Sequence, residues 1–196
     1  LHLCDRRQRQ MCIRDRLDGL SFYDSLDSVV GLAIQELEKF EESQLRAKIG
    51  CDIFNAAGLA YLSSDKNKAL ISFLCVKQLL DKFLPKEEKA LMAYYCNMGL
   101  AYSKIDFEKA NQFLQEALER EKQYYGEYSM EVADVYHNIG KNYLSISDYE
   151  NASFYLEKAL QIKRTKSECT YSLIKTEFGL CLLYTSDAAD DRISVD

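Results

Sequence analysis

From Leu26 onward, apolar residues fall at Val29, Val30, Ala33, Ile34, Leu37 and Phe40, a three-and-four spacing that places them on one stripe of an α-helix. The spacing returns from Ser43 to Leu62 through Ile49, Ile53, Ala56, Ala57, Leu59 and Ala60, and from Lys66 to Leu84 through Ala69, Phe73, Val76, Leu79 and Leu80. Two further helices are expected over 86–105 and 107–125. Another starts near Tyr128 with Val132, Tyr136, Ile139 and Tyr143 inside, and the next starts at Asp148 and carries Tyr155, Leu156, Ala159 and Ile162. A short stretch from Ser172 to Leu180 begins the pattern again. Between stripes stand Asp65, Asp106, Asp148 and Ser129, whose side chains can accept from the free N–H groups of a helix's first turn. Pro85 and Gly126 lie where a helix stops, one because its ring cannot continue the helix, the other because it tolerates a left-handed cap. The expectation is an all-α chain.

These stripes are copies of one another. Gly is followed three places later by Tyr at Gly58 and Tyr61, Gly99 and Tyr102, and Gly140 and Tyr143, with a constant period of 41 residues. Each pair is followed by an Asp and then an Ala: Asp65 with Ala69, Asp106 with Ala110, Asp148 with Ala152. In the last two copies a second Ala comes seven residues on, at Ala117 and Ala159. A unit recurring at a fixed period of this size implies a stacked array of helix pairs. Two antiparallel helices approach closely only where one lacks bulk, so Gly99 and Gly140 are expected to face small residues such as Ala110 and Ala152. The Tyr is expected to fill the gap to the next pair. A lone pair would leave one oily face wet, so stacking is obligatory.

The run from Gly140 to Leu160, reading Gly, Tyr, Asp-Tyr-Glu-x-Ala and Tyr-Leu-Glu-Lys-Ala-Leu, resembles the tetratricopeptide repeat, and Ser43 to Leu180 follow the same plan. The usual period is about 34 residues. The longer spacing here is similar to the subclass found in the kinesin light chain. The turn of the third unit is one residue longer than the turns after Gly58 and Gly99, and Gly126 stands where the first unit has Pro85. The resemblance implies a right-handed superhelical α-solenoid with about three full repeats and partial repeats at both ends. It also implies that first helices line a concave groove for an extended peptide or partner helix. The groove residues it implies are Asn55, Leu59 and Leu62 in the first unit, then Cys96, Asn97, Leu100, Ser103 and Lys104 in the second. Asp134, His137, Asn138, Lys141 and Leu144 follow in the third. Asn97 and Asn138 share one repeat position, where an amide can both donate to and accept from a peptide backbone, or instead bond a neighbouring helix. The function implied is a protein-interaction scaffold. The alternative is a regulatory segment of a larger signalling enzyme or transcription regulator.

The two ends change the picture of charge. Arg6 to Asp15 can be written in codons whose reverse complement, in a shifted frame, encodes Cys181 to Asp190, and the DNA word resembles a transposon adapter used in preparing sequencing libraries. Residues 1–16 and 181–196 are therefore expected to be translated adapter, 17–180 the repeat domain, and the array a fragment able to self-associate through its cut ends. Setting the ends aside removes as many basic as acidic residues and leaves the formal charge at −6, but it removes the basic N-terminal cluster. Nucleic-acid partners are thus not expected, and no apolar run reaches the roughly 20 residues of a membrane span. Cys51, Cys75, Cys96 and Cys169 are far apart, without metal spacing, and read as reduced core thiols of a cytoplasmic protein. His137 has no partner at ligand spacing, Asn151-Ala152-Ser153 reads as an idle glycosylation acceptor, and the 14 Tyr lack the basic interleaving of a strand-binding platform. No catalytic, metal or cofactor signature appears, and no enzyme is expected.

Overall fold

The computed structural model describes residues 22–166 and 176–181. Seven long helices follow in order: α1 (Phe22–Glu38), α2 (Gln44–Tyr61), α3 (Lys66–Phe83), α4 (Glu88–Tyr102), α5 (Phe107–Tyr125), α6 (Met130–Leu144) and α7 (Tyr149–Lys166). A short helical piece, α8 (176–181), comes last. Each helix packs on the next, and α2 also touches α4. That succession of neighbours is an α-solenoid, in which the pairs α2–α3, α4–α5 and α6–α7 form the units. The core runs along the array as consecutive apolar clusters. Ala57, Phe73, Val76 and Met98 lie in the first, Leu114, Val132 and Ile139 in the second, and Leu156 and Leu180 in the third.

The turns show why the units end where they do. The N–H of each capping Asp returns to the carbonyl of the repeat's Tyr: Asp65 to Tyr61 at 2.8 Å, Asp106 to Tyr102 at 2.9 Å and Asp148 to Tyr143 at 3.1 Å. The carboxylates then take first-turn N–H groups of the second helix, at 3.0 Å from Asn67, 3.1 Å from Lys109 and 3.1 Å from Asn151. The extra residue of the third turn is absorbed by Ser147, which takes a left-handed backbone with φ 59°. Ser43 and Ser129 cap α2 and α6 through their hydroxyls, whereas Glu87 makes no side-chain cap on α4 and pairs with Lys48 at 2.8 Å.

The repeat residues are the close-packed ones: Gly58, Gly99 and Gly140 are buried, and Ala69, Ala110, Ala117, Ala152 and Ala159 are completely enclosed. What the glycines face differs from expectation. A methyl placed on Gly99 would lie 2.6 Å from Leu114 Cγ, one on Gly140 2.7 Å from Leu156 Cγ, and one on Gly58 2.3 Å from the Phe73 ring. The glycine therefore admits a large side chain one turn beyond the Ala. The Ala contributes its carbonyl, 3.3 Å away at Ala110 and 3.2 Å at Ala152.

The tyrosines also look the other way. Tyr143 stacks on Tyr155 of its own unit at 5.6 Å and meets Phe107 of the preceding unit at 5.3 Å, and Tyr102 stacks on Phe113 at 5.6 Å. In the first unit Ser72 stands at the stacking position, and Tyr61 instead donates its hydroxyl to Asp27 of α1, which also pairs with Lys68. On α1 itself only part of the expected stripe is covered. Leu26 and Leu37 are buried, but Val29 is exposed, and Phe40, expected on the stripe, lies exposed beyond the helix end at Glu38. Ile49 and Leu59 of α2 are likewise partly in solvent. Residues 1–21, 167–175 and 182–196, and with them Cys169, the whole of the first expected adapter segment and all of the second but Cys181, lie outside the described residues.

Candidate functional site

The first helices of successive units lie side by side, joined by polar contacts about one period apart. Asn97 Nδ2 donates to Asn55 Oδ1 at 3.2 Å, Ser145 Oγ to the Ser103 carbonyl at 3.4 Å, and Thr176 Oγ1 meets His137 Nδ1 at 3.2 Å. On the resulting face of α2, α4 and α6, Leu59, Lys104 and Lys141 are exposed, and Asn55, Leu62, Cys96, Asn97, Leu100, Ser103, Asn138 and Leu144 are half-buried. Leu144 is partly committed to the core beside Leu156, Leu160 and Leu180. Asn97 spends one of its donors on the neighbouring helix. Among the described residues no side-chain hydrogen bond is seen for Asn138, although it occupies the same repeat position.

His137 is the site residue the structure removes from the face. It is only 3% exposed, enclosed where α6, α7 and α8 meet, because the start of the next unit covers it. Thr176 also accepts from Lys163 Nζ at 2.9 Å, and Lys163 pairs with Asp134 at 2.9 Å. The result is a polar link across three helices. It holds an ammonium group out of water by giving it a carboxylate and a hydroxyl.

Sequence reasoning passed over a related position. On the inner side of the second helices, Leu114, Ala117, Leu118 and Glu121 follow helical spacing, and so do Leu156, Ala159, Leu160 and Lys163. The first unit has Leu80 at this place. All three residues are buried. A charged residue in an apolar stripe was the visible signal. Burial, with the carboxylates of Glu131 and Asp134 nearby, pushes the Glu121 carboxyl up to about 7. Burial also raises the thiols, to about 11 at Cys51, and in the same direction at Cys75 and Cys96, so these cysteines are protonated at neutral pH.

Comparison with known families matches residues 89–165, which span α4 to α7, to the tetratricopeptide repeat. Over α4 to α7 the chain is similar to the tetratricopeptide repeat family. Among solved structures, the crystal structure of BtubC (BKLC) from P. vanneervenii shares its fold, with a TM-score of 0.65 at 23% identity, over 93% of this chain and 69% of that one. A search of curated protein sequences finds no match. Tetratricopeptide repeats generally mediate contacts between proteins, and the fold is generally a non-catalytic scaffold. Among the described residues, no group of three or more His, Cys, Asp or Glu is arranged to hold a metal ion. Nor is any described helix long and apolar enough to cross a membrane.

Proposed function

We propose that the array is a scaffold that holds an extended peptide or a partner helix along the face of α2, α4 and α6. The observation that carries this is the division of labour on those helices. Their inner sides are consumed by the core, while the outer sides present a row of amides, lysines and leucines: Asn55, Leu59, Asn97, Leu100, Lys104, Asn138, Lys141 and Leu144. The amides offer backbone-directed hydrogen bonds whatever the ligand's sequence, Lys104 and Lys141 attract acidic groups, and the leucines supply apolar contact. Selection of a phage-displayed random peptide library on the full chain supplies a ligand. Asn97→Ala with Asn138→Ala is then expected to weaken it about tenfold, with little change in melting temperature. Undiminished binding by that double variant rejects this face as the site.

A further inference from the structure

We infer that the face carries, over Ala93, a receptor for a cationic side chain of the bound peptide, an arginine or a lysine, made by Glu121, Glu131 and Asp134. This rests on the groove reading and adds the chemistry of one ligand residue. Repeat symmetry singles out this position. Lys163 of the third unit and Glu121 of the second hold the same position of the second helix, buried beneath the first-helix face. Lys163 is answered by Asp134 on its own unit's first helix, at 2.9 Å. One period earlier, the place of Asp134 is taken by Ala93, a methyl group open to solvent. Glu121 thus lacks the counterion that its equivalent possesses, and its Oε2 is buried with no hydrogen-bond partner. It is 8% exposed, so more than nine-tenths of it is withdrawn from water.

An orphaned carboxylate in such a place is costly to keep unless something pays back its desolvation. The groups around it sharpen the need for a cation. Glu131 and Asp134 of α6 are exposed carboxylates at its rim, Cys96 of α4 and Tyr125 of its own helix are neutral, and Lys89 of α4 lies toward Tyr125. Lys163 lies on the far side of Asp134, already bonded to it and to Thr176. Where Asp134 projects a carboxylate toward Lys163, the exposed Ala93 one period earlier projects only a methyl. Three carboxylates on two helices suit the several donors of a guanidinium or ammonium group. A bound cation would draw the proton off Glu121, so capture of the probe releases protons near neutrality and tightens as the pH rises through about 7.

The test is a titration of the full chain with N-acetyl-arginine amide, and with N-acetyl-glutamine amide at matched ionic strength, followed by carbon-detected NMR of the glutamate carboxyls. The arginine probe is expected to lower the Glu121 titration midpoint and to shift the Ala93, Cys96 and Asp134 amides saturably, while the glutamine probe does neither. Glu121→Gln should weaken the arginine probe about tenfold, the scale of one charge-assisted hydrogen bond. Ala93→Lys, which builds the counterion in, should lower the Glu121 midpoint without any probe and abolish probe binding. An unmoved Glu121 carboxyl, or equal binding by Glu121→Gln, overturns the inference. Library peptides that need Asn97 and Asn138 but bind Glu121→Gln normally would leave the groove standing and refute only the cation receptor. Arginine-probe binding at Glu121 without any such peptides would support the receptor and count against the groove.

Discussion

Replacing Gly140 by Ala tests the packing argument directly. In an open helix the change is favourable, by about 1 kcal/mol, because Ala loses less backbone freedom on folding. Here the new methyl would sit 2.7 Å from Leu156 Cγ and 3.1 Å from its Cδ2, with the Ala152 carbonyl 3.2 Å away on the other side. Carbon–carbon contacts are comfortable only from about 3.5 Å, so close to 1 Å must be opened. The obstacle is the branch point of a fully enclosed leucine, not the free end of a side chain. Either Leu156 leaves its rotamer or α6 and α7 part, which costs about 2–3 kcal/mol. The net loss is about 1–2 kcal/mol, a fall of several degrees in melting temperature. Gly31 on α1 is the control, since a methyl there meets nothing within 4 Å, and Gly31→Ala should gain about 0.5–1 kcal/mol. Urea denaturation followed by far-ultraviolet circular dichroism gives both values on one scale. A Gly140→Ala variant as stable as the parent, or a Gly31→Ala variant less stable, would refute the close-approach reasoning.

Glu121 should make stability fall with rising pH. Folded, it keeps its proton up to about 7, whereas unfolded it releases it near 4.5, so between these values the folded state holds more protons and loses ground as pH rises. The slope should amount to about 1–2 kcal/mol after allowance for solvent screening at the rim, and Glu121→Leu, copying Leu80, should flatten it in denaturation curves taken across that window. Lys163→Leu, the same substitution in the third unit, should stay within about 1 kcal/mol of the parent, whereas Asp134→Ala, which takes a carboxylate from an enclosed ammonium, should cost about 2 kcal/mol in the same assay. Ser147→Gly should raise the melting temperature, gaining about 0.5–1 kcal/mol by relieving a left-handed backbone.

The local layout was legible in the chain because its causes are local. The bounds expected for α5 agree with those found, since Asp106 caps one end and Gly126, at φ 87°, closes the other. The Gly, Tyr, Asp and Ala positions declared a repeat because each does the same packing task once per unit. The same register set which residues were expected on the face. Those that failed did so at the joints between units. His137 reads as a groove residue until α8 is laid over it, and Gly99 reads as facing an alanine until the rotation of α5 brings Leu114 opposite.

The sequence by itself therefore determined the helices, their caps, the pairing into hairpins and the solenoid. These follow from a periodicity of three to four residues and from caps that act within one turn. Only the tertiary structure decided which side of each hairpin its neighbour covers. That choice makes Leu80, Glu121 and Lys163 one position with three chemistries, bonds Asn55 to Asn97, and leaves a carboxylate under Ala93 unanswered. Such contacts join residues some forty places apart, and their partners depend on the angle at which one unit settles on the next. No short-range pattern carries that angle.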